Sequence, residues 1–178
     1  DFGLFGSRLT GSFDLYTRKS SDLLLNVPSM LATGFSSYLD NAGEVKSRGW
    51  DFEFTSHQIR KSDFSWSTSF NISHNSNKVT KLDGEQKEIL IPSSFDIQHS
   101  LLRIGEPMYS IYVVKQDGIL SQADIDAGAA LYGSQKAGDP RYVDSNGDGV
   151  IDANDRVIVG PPNPSYVWGI TNNFKYKN

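Results

Sequence analysis

The chain has 178 residues, with ten Phe, eight Tyr, three Trp and sixteen Gly, 38% hydrophobic residues and a formal net charge of −4. That length allows one domain with a sizeable core or part of something larger, and the aromatic, glycine-rich mix favours β-structure and turns over helix bundles. The charge is too mild to select a partner, no basic stripe is present for nucleic acid, and the lack of cysteine excludes disulfides and thiolate metal sites.

No signal peptide and no run of about 18 apolar residues is present, which excludes a transmembrane helix only. A transmembrane strand needs just ~9–11 residues with alternate positions apolar. From Leu4 to Leu25, Phe5, Leu9, Phe13 and Leu15 share one parity, and Arg8, Thr10, Ser12 and Asp14 share the other. Successive side chains of a strand point to opposite faces, so this is a two-faced strand. Residues 29–44 are rich in Gly, Ser, Asn and Asp and are expected to be a connection.

A second strand is expected over Gly49 to His57, with Trp50, Phe52 and Phe54 on one face. A third runs from Phe64 to His74, with Phe64, Trp66, Thr68, Phe70 and Ile72 opposite a face of Ser and Asn. The polar stretch from Ile59 to Asp63 should join them as a hairpin. A last strand, Tyr166 to Tyr176, places Tyr166, Trp168, Ile170, Phe174 and Tyr176 on one face with Asn172 as its single polar interruption. Strands of this length with aromatics near their ends suit a lipid-facing band with aromatic girdles and a polar lumen. A soluble sandwich also alternates, so periodicity alone leaves both open. In the barrel reading Trp50, Phe52, Phe54, Phe64, Trp66, Phe70, Ile72, Trp168 and Ile170 face lipid.

Residues 84–165 break the pattern with six prolines and one expected helix, Gln122 to Tyr132, for which Ser121 and Asp124 form a capping box. So long a connection should be structured. Long loops of outer-membrane barrels lie outside the cell and short turns in the periplasm, so the turn near Arg60 to Asp63 is expected to be periplasmic. The expected organisation is barrel strands and turns over 1–83, a long extracellular loop over 84–165, and a barrel strand over 166–178.

The sharpest local motif runs from Asp144 to Asp155 and matches the twelve-residue calcium loop. Asp144, Asn146 and Asp148 hold positions 1, 3 and 5, Gly149 the sharp turn at 6, Val150 a carbonyl at 7, Asp152 position 9 and Asp155 position 12. A hard cation taking ~6–8 oxygens needs this alternation around one centre. Asp at position 12 reaches less far than the commoner Glu, and an Asx-rich turn without metal is the competing explanation. The expected ion is a structural Ca2+ that orders the long loop.

Together these residues resemble the SusC-like family (RagA/SusC) of TonB-dependent outer-membrane transporters, in the C-terminal β-barrel part. The stretch Gly11 to Leu25 is similar to the strand leading to the family's Y-x-R-x-T-x-D-L-L motif. Asn41, Gly43, Gly49 and Glu53 follow its next pattern, with Ser47 and Asp51 as departures, and Ser65-Trp66 to Asn77-Lys78-Val79 resembles the strand after it. Gly105-Glu106-Pro107 to Gly118-Ile119, and Gly138-Asp139 through Asp155-Arg156 to Asn163-Pro164, are similar to two further runs, the last highly specific. The resemblance implies an all-β fold of antiparallel strands forming part of a transmembrane β-barrel, with a long structured extracellular loop carrying the short helix and the calcium loop. It implies import of oligosaccharides or peptides across the outer membrane, a SusD-like lipoprotein as lid, the TonB complex as energy source, and outer-membrane lipid around the wall. Four or so strands cannot close a barrel, and no plug or TonB-contacting segment is seen, so a piece of the wall is expected.

The alternative is a secreted calcium-stabilised β-domain that binds carbohydrate or protein, for which one copy of the loop and flanking strands are a poor match. No enzyme is expected: His57, His74 and His99 stand apart, and Glu85, Glu88 and Glu106 form no spaced carboxylate pair. Tyr109, Tyr112 and Tyr132 are the candidates for substrate or lid-protein contact.

Overall fold

The structure, a computed structural model, describes residues 1–28, 34–35, 37–82, 87–92 and 98–177. In chain order the strands are β1 (Phe2–Leu4), β2 (Leu9–Pro28), β3 (Ser37–Arg60), β4 (Phe64–Leu82), β5 (Glu88–Pro92), β6 (Gln98–Arg103), β7 (Ser110–Val114) and β8 (Gln116–Ile119). Helix α1 (Gln122–Asp126) follows, then β9 (Pro140–Tyr142), a 3-10 turn at Ala153–Asp155, β10 (Arg156–Gly160) and β11 (Tyr166–Tyr176). The chain divides into two units: Asp1–Glu85, Ile104–Pro107 and Asn163–Asn178 form one, and Gln86–Arg103 and Met108–Pro162 the other.

The first unit is an antiparallel sheet in the order β1-β2-β3-β4-β11. Its register joins the parities of separate strands into one face. Phe13 lies opposite Phe52, Phe52 opposite Ile72, and Ile72 opposite Trp168. One rung away, Phe54, Phe70 and Ile170 are aligned, and on the other side Leu15, Trp50, His74 and Tyr166. Rings touch along this face: Phe13 and Trp50 at 6.3 Å, Phe54 and Phe70 at 5.6 Å, Trp66 and Phe174 at 5.6 Å. Offset and tilted ring pairs of this kind add to sheet stability beyond their area. The opposite face is polar, with Ser12 donating to Glu53 at 3.2 Å and Thr55 hydrogen-bonded to Ser69 at 2.9 Å.

Asn172 explains itself within this register. It aligns with Thr68, and its side-chain oxygen accepts from Thr68 Oγ1 at 2.7 Å and Trp66 Nε1 at 3.2 Å. The polar interruption is a partnered group, as a polar atom on an apolar face must be.

Several expectations on element length change. The expected strand from Leu4 to Leu25 is broken by a tight turn, where Phe5, Gly6 and Ser7 all have positive φ, so that β1 folds back on β2. Residues 37–44, expected to be connection, are strand paired with β2 and β4; residues 29–33 and 36 lie outside the described residues. β3 begins twelve residues before the expected start at Gly49 and β4 continues eight beyond the expected end at His74, to 24 and 19 residues. Alternation fades there because apolar residues become sparse, with Val45, Val79 and Leu82 buried among polar neighbours, while the backbone ladder persists regardless of side chain.

The second unit is not loop alone. Among its described residues a four-stranded sheet, β10-β7-β6-β5, and a pair, β8-β9, enclose Leu101, Leu102, Leu120, Ile89 and Ile151, each at most 3% exposed. The helix expected over Gln122 to Tyr132 stops at Asp126. Its N-terminus is as expected, with both capping-box bonds between Ser121 and Asp124 present. It buries no residue, and Gly128 at φ +83 turns the chain away. Without an apolar stripe to dock, five residues have little reason to propagate. Among the described residues no helix is long and apolar enough to cross a membrane.

Candidate functional site: an acidic loop and a tyrosine cleft

The Asp144–Asp155 loop hangs between two strands of the second unit, not between helices. β9 leads into it, and β10 starts directly after it, paired with β7. Val143 N donates to Lys115 O at 2.9 Å, fixing the entry. Ile151 is buried in mid-loop and Val150 forms a bridge to Leu131, whereas the Val150 side chain is 55% exposed. The apolar residues of the motif therefore tether it through Ile151.

Within the loop, backbone and side chains close on each other. Asp144 accepts from Gly147 N at 2.6 Å and from Gly149 N at 2.8 Å. Asn146 accepts from Asp148 N, and Asp148 from Val150 N, each at 2.9 Å. Asp152 accepts from Asn154 N at 2.6 Å. Gly149 takes φ +84, the sharp turn required at the sixth position, where a side chain would be strained. Asp155 is fully buried and returns to the start of the loop, accepting from Ser145 N at 2.9 Å, Asn146 N at 3.5 Å and Asp152 N at 2.8 Å. Donation from the Asp152 N–H above all, with the Ser145 and Asn146 amides, holds its carboxyl below the ordinary aspartate value despite burial.

The donor set is chemically that of a hard cation: carboxylate, amide and carbonyl oxygens only. The carboxylates engaged by N–H groups retain lone pairs for a second partner. Among the described residues, no three His, Asp or Glu side chains are gathered as a metal cluster. The arrangement is that of an Asx-rich turn with acidic side chains along its rim.

The three tyrosines expected to touch a substrate or lid have different surroundings. Tyr109 is 41% exposed at φ +58, and Tyr112 lies on β7 with the Arg103 guanidinium 5.5 Å from its ring centre. Tyr132 stands edge-on to Tyr142 at 6.4 Å. These last two line a cleft of about 450 Å³ with Ile151, Asp152 and Arg156. Tyr142 and Arg156 escaped the sequence reading because they flank the acidic motif and belong to short strands with no alternation to mark them. Arg141 was missed as well: it pairs with Asp117 at 2.8 Å and Asp124 at 3.4 Å, joining β9 to β8 and α1.

Comparison with known proteins places the whole chain against one stretch of much longer ones. TonB-dependent receptor P3 of Formosa agariphila is 39% identical over 182 residues, covering 100% of this chain and 18% of that receptor. TonB-dependent receptor SusC of Bacteroides thetaiotaomicron is 30% identical over 187 residues, covering 100% of this chain and 17% of its own length. The solved structure of the RagAB peptide transporter superposes with a TM-score of 0.73 at 23% identity, over 98% of this chain and 18% of that one. The chain thus spans a fifth or less of the length of the curated relatives it matches. No protein-family model matches it.

Proposed function

Because this chain belongs, as a homologue of one stretch, with the SusC-like TonB-dependent receptors, we propose that it builds part of the wall of an outer-membrane importer. The observation that supports this best is the one-sided aromatic face of the β1–β4/β11 sheet. On β11 the face runs from Tyr166 to Tyr176. Ten residue steps at ~3.4 Å, tilted by about 40–45°, rise about 25 Å, the height of the apolar band of an outer-membrane barrel. Aromatic side chains mark both ends of it: Trp50 and Tyr166 on one side, Phe64, Trp66 and Phe174 on the other. A water-soluble module would have to cover this face, yet Phe13 is 53% and Trp168 65% exposed. The short turns 5–8 and 61–63 lie at the periplasmic end, and the β5–β10 unit on the cell surface.

The cargo in this reading is an oligosaccharide or a peptide, a SusD-like lipoprotein closes the mouth, and the TonB complex supplies energy through other parts of the receptor. The description of the structural neighbour as a peptide transporter supports the peptide arm. The decisive test is membrane insertion of the full-length protein carrying Ile170→Arg, at mid-band, against Thr171→Arg on the polar face. The first should cost about 2–4 kcal/mol of folding free energy in lipid; equal tolerance of both would sink the wall reading.

For the loop we propose a structural Ca2+ held by Asp144, Asn146, Asp148, the Val150 carbonyl, Asp152 and Asp155, with Gly149 making the turn. The oxygen-only donor set and the left-handed Gly149 support it. Bound calcium would neutralise the carboxylates and stiffen the segment between β9 and β10. Calorimetry on the full-length protein should show calcium-dependent heat that Asp144→Ala and Asp148→Ala abolish; no heat in the unsubstituted protein refutes the site.

A further inference from the structure

The register of the sheet aligns charges that are scattered in the sequence. Lys19 lies opposite Lys46, and Lys46 opposite Lys78. Arg48 sits one rung nearer the aromatic face, opposite Thr17 and Ser76. All four have the parity of Leu15, Trp50 and His74, with no bulge between, so they project from the same face as the aromatic band. Like charges directly opposite on neighbouring strands destabilise a sheet. Only Lys19 is relieved, by Glu44 at 2.8 Å. Among the described residues Lys46, Arg48 and Lys78 have no ion-pair partner. Three unpaired cations therefore stand together on two neighbouring strands, where an anion from outside the chain would offset their repulsion.

We propose that Lys46, Arg48 and Lys78 form a binding row for the phosphate of a membrane-lipid headgroup in the leaflet facing the long loop. The inference rests on the wall reading above and adds a ligand to it. Depth selects the occupant. Arg48 is two residues and Lys46 four residues beyond Trp50, a rise of about 5 and 10 Å along a tilted strand. The headgroup layer occupies about 5–7 Å beyond the hydrocarbon edge, where Trp and Tyr collect. Lys side chains bridge the remainder by reaching along the surface. A concavity of about 580 Å³ lies there, lined by Leu15, Thr17, Arg48, Trp50, His74 and Ser76. Its lower wall is apolar and suits the start of an acyl chain; its upper wall supplies the guanidinium and two hydroxyls. A guanidinium recognises phosphate bidentately and lysines add point charge.

The test uses the full-length protein in detergent, titrated with phosphatidylglycerol or phosphatidylcholine brominated on the acyl chains. The readout is the quenched fluorescence lost in a Trp50→Phe variant, which isolates the tryptophan beside the row. Quenching by both lipids, with phosphatidylglycerol preferred tenfold or more, is the expected result, since each basic residue near an anionic lipid surface is worth about fivefold. The triple variant Lys46→Gln/Arg48→Gln/Lys78→Gln should keep quenching but lose the preference. A Lys46→Arg/Lys78→Arg variant should keep it, as should a control with Lys87, Lys115 and Lys136 changed to Gln. Quenching with no headgroup preference, or a preference the triple variant retains, overturns the proposal and leaves the wall reading intact. A row that served an acidic protein face instead would give that outcome. No quenching by either lipid overturns both.

Discussion

In the five-stranded sheet the aromatic face stands in the open, and Leu15, Trp168 and Ile170 are each more than half exposed, while Leu25, Val45, Val79 and Leu82 beyond that band are buried. In the β5–β10 unit the apolar side chains turn inward, and Leu101, Leu102 and Leu120 are at most 1% exposed. Both regions are antiparallel β-sheet, yet they dispose their apolar side chains differently. The sheet relies on backbone ladders and ring contacts within one layer and leaves its apolar face open, for lipid in the wall reading proposed above. The second unit has an interior of its own, small enough that each leucine matters. Secondary structure alone therefore says nothing about which solvent a sheet meets; the direction of the apolar face does.

The contrast breaks most sharply at Leu101, on β6 and completely buried. Leu101→Ala should cost the second unit about 2–5 kcal/mol through lost burial and the cavity left behind. Hydrogen exchange on the full-length protein would show faster exchange in β5, β6 and β7 with β3 and β4 unchanged. Parallel loosening of β3 and β4 would mean that the two units share one cooperative transition. Calcium is the next lever. At a free concentration 100 times its dissociation constant, an ion that binds only the folded loop stabilises by about 2.7 kcal/mol. Chelation should accordingly lower the melting of the second unit and leave the sheet where it was.

How much of this the sequence disclosed follows the same divide. The aromatic parities of β3, β4 and β11 were readable because a half-buried strand writes its two faces directly into the chain, and β11 was found with its ends. The acidic loop was readable because its donors and Gly149 are fixed by local spacing. Strand extensions at 37–48 and 75–82 were not, since their few apolar residues, among them Val45, Val79 and Leu82, are too sparse to write a period of two. The strands β5 to β10 were hidden by their brevity, three to six residues each, too few for a period to establish itself. The lysine row was invisible for another reason: register is a relation between strands, and Lys19, Lys46 and Lys78 become neighbours only once the strands are aligned.

Acid offers a gentler way to part the two regions. The Asp155 carboxyl is held low by the Asp152, Ser145 and Asn146 amides, and that of Asp124 by Ser121 and then by Arg141. A carboxyl whose folded value lies below its unfolded one contributes stability above the unfolded value, and that contribution fades as pH falls through the folded value. Both residues belong to the second unit. Its melting temperature should hold from neutral pH to about pH 4 and fall below it, with Asp155→Asn flattening part of the decline. A melting temperature that stays constant to pH 2 would show that these bonds contribute nothing to folding.

The smallest expected effect lies in the sheet, at Asn172. Leucine there would fit the apolar face better, and area alone predicts a gain. The hydrogen bonds predict the opposite, because Thr68 Oγ1 and Trp66 Nε1 both donate to the Asn172 oxygen. Leaving a donor without a partner in an apolar setting costs about 1–3 kcal/mol, against which a buried leucine returns a comparable amount. The net change for Asn172→Leu should be a loss of about 1 kcal/mol in the full-length protein folded in lipid. Adding Thr68→Val and Trp66→Phe removes the orphaned donors, so the triple variant should recover most of the loss. Recovery of this kind would show that the polar group is tolerated by virtue of its partners. A gain from Asn172→Leu alone would mean that water reaches this rung, and that the lipid-facing band ends nearer to Ile170 than to Tyr176.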